Sequence, residues 1–433
     1  LFKKVLALTL ASTMAFSMAG CGSKGGSSDA KNDDGTITLN VWHQWSNDTN
    51  ELKSKYEEAV KAYEKENSGV KIKTETLDTE AYKTKINAEF AGDAKGIDVF
   101  YWWGAGTAKK LVDAGKVMAL DDYVTDDVKS KILEGSTSAF EFDGKLYSVP
   151  MFSWYMTLFC NKTLFDKAGA KLPETYDELV DAVKKLKKLD GVTPMAAGAK
   201  DGWNAAFVYQ ALALREVGAT GVNEMLSGKK EFGDEGFKKA AQKVSDLYEM
   251  GAFGDNPLEQ GNDDANAAFE NGKAAMRLMG SWFANNVYTD DAATIKPEEV
   301  VALKIPTIAD GKGEATDYCG GFVESFWVNN NTKYKEEAAK FCIYINEKMG
   351  VASYETGSGF SGWTTPADES NLNPLFIQIK DLLAEGKQGV LAWDTSLESE
   401  PAAVHNEQVQ TLFADGADIN EFIDEHKAAI NGK

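Results

Sequence analysis

Histidine is scarce in this chain, with three in 433 residues, and His43, His405 and His426 stand far apart. That excludes the His-Glu-x-x-His motif and the other close spacings of zinc sites. No Gly-x-Ser-x-Gly elbow of a serine hydrolase occurs. Gly104-Ala105-Gly106 lacks the third glycine of a dinucleotide loop, and Gly357-Ser358-Gly359 lacks a phosphate-loop lysine. No metal and no cofactor is therefore expected. Cysteine is nearly as rare. Cys160, Cys319 and Cys342 are an odd remainder once Cys21 is set apart, so a full disulfide framework is excluded. One bridge, or three buried free thiols, stays open. Positive charge is short: 46 Lys and Arg face 67 Asp and Glu, a net charge of -21. Such a surface repels nucleic acid and anionic membrane, so no nucleic-acid partner is expected. Beyond the N-terminus no apolar run is long enough to cross a bilayer. Carboxylates are so plentiful that composition leaves a two-carboxylate glycoside hydrolase open.

What is present begins with a leader. Lys3-Lys4 precede an apolar stretch, Val5 to Ala19, which ends in Met18-Ala19-Gly20-Cys21 and a Gly/Ser-rich run. Small residues before a cysteine and a flexible tether resemble a bacterial lipoprotein signal. Residues 1–20 are expected to be the signal peptide, Cys21 the lipidated residue and 21–35 the tether. The folded body would sit on the outer face of a bacterial, Gram-positive cell membrane.

The body is long enough for two domains. Thr36–Trp42 and Val70–Leu77 alternate like strands, and Ile97–Trp102 is a third apolar run. Helical spacing separates them at 52–66 and 82–90, and a third helix covers 108–114. This β-α-β-α-β-α order predicts a parallel sheet with helices on both faces. Ligands of such sheets sit beyond the C-terminal strand ends, here His43-Gln44-Trp45, residues 75–78 and Tyr101-Trp102-Trp103. Next, Leu146–Val149 and Trp154–Phe159 read as two short strands joined without a compact turn. The join suggests a chain crossing between lobes, or an ordinary buried strand pair. Later helices are expected at 175–189 (opened by a Thr175/Glu178 capping box), 203–217, 237–250, 263–271, 334–347, 375–385, 396–413 and 419–430. Strands are expected at 274–279, 300–305 and 322–328.

Ten tryptophans need a reason. A flat indole covers the C–H face of a sugar while nearby carboxylates and amides take its hydroxyls. Trp45, Trp102, Trp154, Trp282 and Trp393 are candidates for that role. Each is equally readable as core.

Several segments together resemble the extracellular solute-binding proteins of ABC transporters, in the branch that includes maltose-binding proteins. They are Ile37–Trp42, Gly96–Val99 with Leu111–Leu120, Gly144–Pro150 with Asn161–Phe165, Pro173–Leu179, Phe269–Trp282 and Gly320–Phe322 with Glu337–Phe341. The resemblance implies a type II periplasmic-binding-protein fold: two α/β lobes, each a mostly parallel sheet flanked by helices, with ligand in the cleft between them. The lobes would be 36–149 with 307–365, and 150–306 with 366–433. It implies no covalent chemistry, an oligosaccharide ligand, permease subunits as partners and a monomer. It places Trp282, Trp102 and Trp154 as stacking platforms and Trp393 near a cleft-lining aromatic. Trp103, His43, Gln44, Asp98 and Glu324 are the further ligand-binding candidates. A polyamine or peptide ligand remains the alternative, since Asp78, Asp98 and Glu324 suit a cation.

Overall fold

A computed structural model describes residues 35–47, 50–289 and 293–432. The expected leader, Cys21 and nearly all of the tether lie outside the described residues. The chain opens as read: β1 (Ile37–His43), α1 (Glu51–Glu66), β2 (Val70–Thr76), α2 (Thr79–Ala91), β3 (Val99–Trp103) and α3 (Ala105–Asp113). β1 pairs parallel with both β2 and β3. Asn50 and Asp78 cap α1 and α2 by accepting from the backbone of Leu52 and Ala81, which satisfies donors a helix start leaves free.

Leu146–Val149 does not form a strand of the main sheet. Only Lys145–Leu146 pairs, in a two-residue hairpin with Glu141–Phe142. The crossing is instead one ten-residue strand, β4 (Phe152–Asn161). Phe152 packs in a first hydrophobic core built from residues 37–152 and 326–363. From Trp154 on, the strand packs in a second core that also takes in Cys319, Val323 and the chain after Leu375.

The second core is assembled from α4 (Lys162–Ala168), α5 (Tyr176–Leu186), β5 (Thr193–Ala196), α6 (Gly202–Leu226), α7 (Glu235–Glu249), α8 (Asn262–Glu270), β6 (Ala274–Gly280), α9 (Phe283–Thr289) and β7 (Val300–Leu303). A second long strand, β8 (Asp317–Val328), then returns to the first core and leads into α10 (Lys335–Glu355). β8 runs antiparallel to β3 through Glu324–Val328 and antiparallel to β4 through Gly320–Glu324, with a bulge between Phe322 and Glu324. Gly320 has φ 137°, and a Cβ there would lie 2.0 Å from the Trp154 carbonyl oxygen, so only glycine lets the two crossing strands touch. The tail adds α11 (Pro374–Ala384), β9 (Gln388–Val390), α12 (Trp393–Ser396), α13 (Ser399–Thr411) and α14 (Ile419–Asn431).

The strand order is β2-β1-β3-β8-β4-β6-β5, with β7 on β4 and β9 on β8. The first lobe's sheet is parallel except for β8. The second differs from the mostly parallel expectation: β4 meets β6 and β7 antiparallel, and only β5–β6 and β8–β9 are parallel. The reason is that β4 enters the second lobe from the first, so it runs against strands that start inside it. α10 runs well past the expected Glu347, and α6 past Val217, where Gly218 (φ 80°) kinks it. The expected 396–413 helix is α13, and α12 is a short extra turn before it. Cys160, Cys319 and Cys342 are free and buried. Among the described residues no helix is long and apolar enough to cross a membrane, and no group of metal-binding side chains occurs.

Candidate functional site

A cavity of about 1110 Å³ lies where the two cores face one another, walled by both. Pockets for drug-sized molecules run to about 1,000 Å³, so this one is at the large end of that range. From the first lobe come Gln44 and Trp45 after β1, Trp102 and Trp103 at the end of β3, and Lys83 on α2. From the second come Trp154 on β4, Trp203 at the start of α6, Trp282 after β6 and Asn262 on α8. Glu324, at the bulge in β8, also reaches it.

The aromatic walls are built from inside outward. Trp154 stacks on Phe207 (5.4 Å between centroids) and meets Trp282 edge-on at 5.1 Å. Trp203 meets Phe207 at 5.3 Å. Trp154, Trp102 and Trp45 are buried, whereas Trp282, Trp203 and Trp103 are half-buried and keep ring surface free. Trp282 folds back over the end of β6. A Cβ on Gly280 would lie 1.9 Å from its ring, so glycine at 280 is what lets the indole lie there.

Four residues of the lining also carry a buried polar atom with no partner in the protein: Gln44 Oε1, Trp102 Nε1, Trp203 Nε1 and Asn406 Oδ1. A buried donor or acceptor left unpaired costs about 1–3 kcal/mol. Glu324 is 7% exposed. Burial raises its carboxyl to about 7, partly offset by hydrogen bonds from the Tyr101 hydroxyl (2.5 Å) and Trp103. Burial also raises Asp201 and Asp394. Burial thus works against ionisation of these three carboxyls.

Behind the second wall lies Arg277, fully buried on β6. Its five hydrogen bonds all go to uncharged oxygens: Ala196, Ala197, Asn204, Asn262 and Asn266. Desolvation lowers it to about 9. It ties the starts of α6 and α8 together, and those carry Trp203 and Asn262.

Of the residues singled out in the sequence, the cavity gathers Trp282, Trp102, Trp154, Trp45, Trp103, Gln44 and Glu324. Three fall elsewhere. Asp98 precedes β3, at the opposite end of the strand from the cavity. It accepts from Asn40 N–H (2.8 Å) and the Thr332 hydroxyl (2.6 Å). His43 ends β1 with its ring turned inward onto Tyr56 (4.2 Å), and Nδ1 accepts from Trp45 N–H. Trp393 is core, stacked on His405 at 5.1 Å and edge-on to Tyr209. Its neighbour Asp394 lines the cavity instead. Lys83, Asp201, Trp203 and Asn262 were missed. For Asp201-Gly202-Trp203-Asn204 a signal existed, since a polar cluster with an indole opens a helix.

Comparison with known proteins bears on the family and the fold. Residues 46–351 match the bacterial extracellular solute-binding protein family, and the chain belongs to that family. It is 24% identical to a multiple sugar-binding protein of Streptococcus mutans over 82% of this chain and 80% of that one. A solved structure from work on xylan utilisation by Caldanaerobius polysaccharolyticus is 36% identical, covers 90% of this chain and 99% of its own, and superposes with a TM-score of 0.86. A chitin oligosaccharide binding protein, 22% identical over 92% of this chain and 98% of its own, shares the fold with a TM-score of 0.82.

Proposed function

We propose that this chain is the substrate-binding component of an ABC importer and captures an oligosaccharide in the cavity. The observation that carries the reading is the pairing of half-buried indole faces with buried, unpartnered N–H and C=O groups around one large cavity. A sugar has both an apolar C–H face and hydroxyls that donate and accept. The similarity to a protein from xylan utilisation favours a chain of neutral sugars. In the proposed cycle the lobes, 36–149 with 307–365 and 150–306 with 366–433, turn about the crossing strands β4 and β8. Ligand touches both walls only when they are closed, so binding shifts the equilibrium toward the closed form. The closed form is then read by membrane permease subunits, while lipid at Cys21 holds the monomer at the cell surface. Trp282, Trp103 and Trp203 supply stacking faces, and Trp102, Gln44 and Glu324 hydroxyl partners.

A second reading, a polyamine ligand, is favoured by the carboxylates Asp78, Glu80 and Asp263 on the lining. Titration of the protein with xylo- and chito-oligosaccharides and with spermidine, followed by tryptophan fluorescence, separates the two. A saturable change with one sugar class, and that sugar recovered intact, is the expected result. Response to spermidine alone selects the second reading, and cleavage of the sugar refutes both.

A further inference from the structure

Lys83 stands in an unusual place for a lysine. Its ammonium lies 5.2 Å from the ring centroid of Trp103 and 5.6 Å from that of Trp203. Trp103 ends β3 in the first lobe, and Trp203 opens α6 in the second. One cation therefore touches indole rings of both lobes, inside the cavity wall. Its third partner is Glu80 at 3.0 Å, which is 52% exposed. The Lys83 side chain is itself 29% exposed, with an unbranched stem free to turn toward Glu80 and solvent. The ring surfaces it covers belong to two of the half-buried indoles that a sugar would stack on.

We propose that Lys83 is an internal competitor for the ligand: when the lobes are closed without ligand its ammonium bridges Trp103 and Trp203, and a sugar ring must displace it to enter between them. The proposal rests on the sugar-binding reading above. A cation over an aromatic face is held by the ring quadrupole. That attraction has to be given up when the ring receives a sugar. The cost falls only on ligands long enough to reach this pair, so Lys83 sets how steeply affinity rises with chain length. A short sugar held at Trp282 leaves it in place.

The test compares the full chain with Lys83→Ala and Lys83→Arg. Ligand-free protein is examined first, by acrylamide quenching of tryptophan fluorescence. Lys83→Ala is expected to quench more strongly than wild type, and Lys83→Arg, which keeps a cation on the rings, to match wild type. Calorimetric titration with a series from xylobiose to xylohexaose follows. Two cation–π contacts at partly exposed sites predict a gain of about 5- to 30-fold for the longest sugars in Lys83→Ala. Xylobiose affinity is expected to stay unchanged, and Lys83→Arg to restore wild-type values. Weaker binding of long sugars by Lys83→Ala overturns the proposal, because Lys83 would then be a ligand contact. Equal affinity at every length also overturns it. If wild type binds no oligosaccharide, the sugar reading falls, and the ligand-free quenching still decides whether Lys83 ties the lobes.

Discussion

His43 allows a sharp test of how dry the wall behind the cavity is. Its ring is 1% exposed, and desolvation lowers it to about 3 from an ordinary 6.5, with Lys53 adding to the effect. The folded chain therefore holds His43 neutral at pH 5, while the unfolded chain protonates it. For a group whose folded value is depressed below its unfolded one by burial of a cation, stability is complete above the unfolded value and is lost as pH falls below it. One pH unit below 6.5 costs about 1.4 kcal/mol, so going from about pH 7 to pH 5 removes about 2 kcal/mol through this residue. His43→Asn isolates it. Asparagine Oδ1 sits near the position of Nδ1 and can still accept from Trp45 N–H (3.2 Å). The lost ring leaves a void worth about 1–3 kcal/mol, but that cost does not change with pH. Urea unfolding of both proteins at pH 5, 6 and 7 gives the difference directly. Wild type should exceed the variant by about 2 kcal/mol more at pH 7 than at pH 5. A gap that is the same at each pH refutes the argument, because it means water reaches His43 in the folded protein. The comparison cancels every other titrating group, including His405 and His426, which burial also lowers.

Gly280→Ala should push Trp282 off the end of β6, given the 1.9 Å approach. Oligosaccharide affinity is expected to fall about tenfold or more, or 1.4 kcal/mol, in a calorimetric titration. Glu324 has the opposite linkage to His43. Its folded carboxyl keeps a proton up to about 7, so stability is lost as pH rises from the ordinary carboxylate range through that value. Glu324→Gln removes the loss, and should gain on wild type by about 3 kcal/mol between pH 4.5 and pH 8 in urea unfolding. Asp98→Ala takes acceptors from Asn40 N–H and the Thr332 hydroxyl. It should lower stability by about 1–3 kcal/mol, seen as a lower denaturation midpoint, with sugar affinity unchanged in the same titration.

Local pattern carried much of this protein. The alternation of 36–42 and 70–77, the apolar run 97–102 and the helical spacing between them were enough for the first three parallel strands. The rule that ligands gather at C-terminal strand ends was enough for Gln44, Trp102 and Trp103. These are properties of residues close in the chain, and period and capping report them directly. Asp98 was not chosen by that rule, and the rule excludes it: it adjoins β3 at the N-terminal end, away from Trp103. Trp393 and Asp394 are adjacent, yet one is core and one lines the cavity. Which way each points depends on His405 and Tyr209, which a local window does not see. The antiparallel entry of β4 into the second lobe was illegible for the same reason, since its partners β6, β7 and β8 all come later in the chain. So was the convergence of Lys83, Trp103 and Trp203. Sequence by itself determined the class of fold and the supply of indoles. Tertiary structure decided which indoles face the cavity and what each one touches, because that depends on pairings between distant segments.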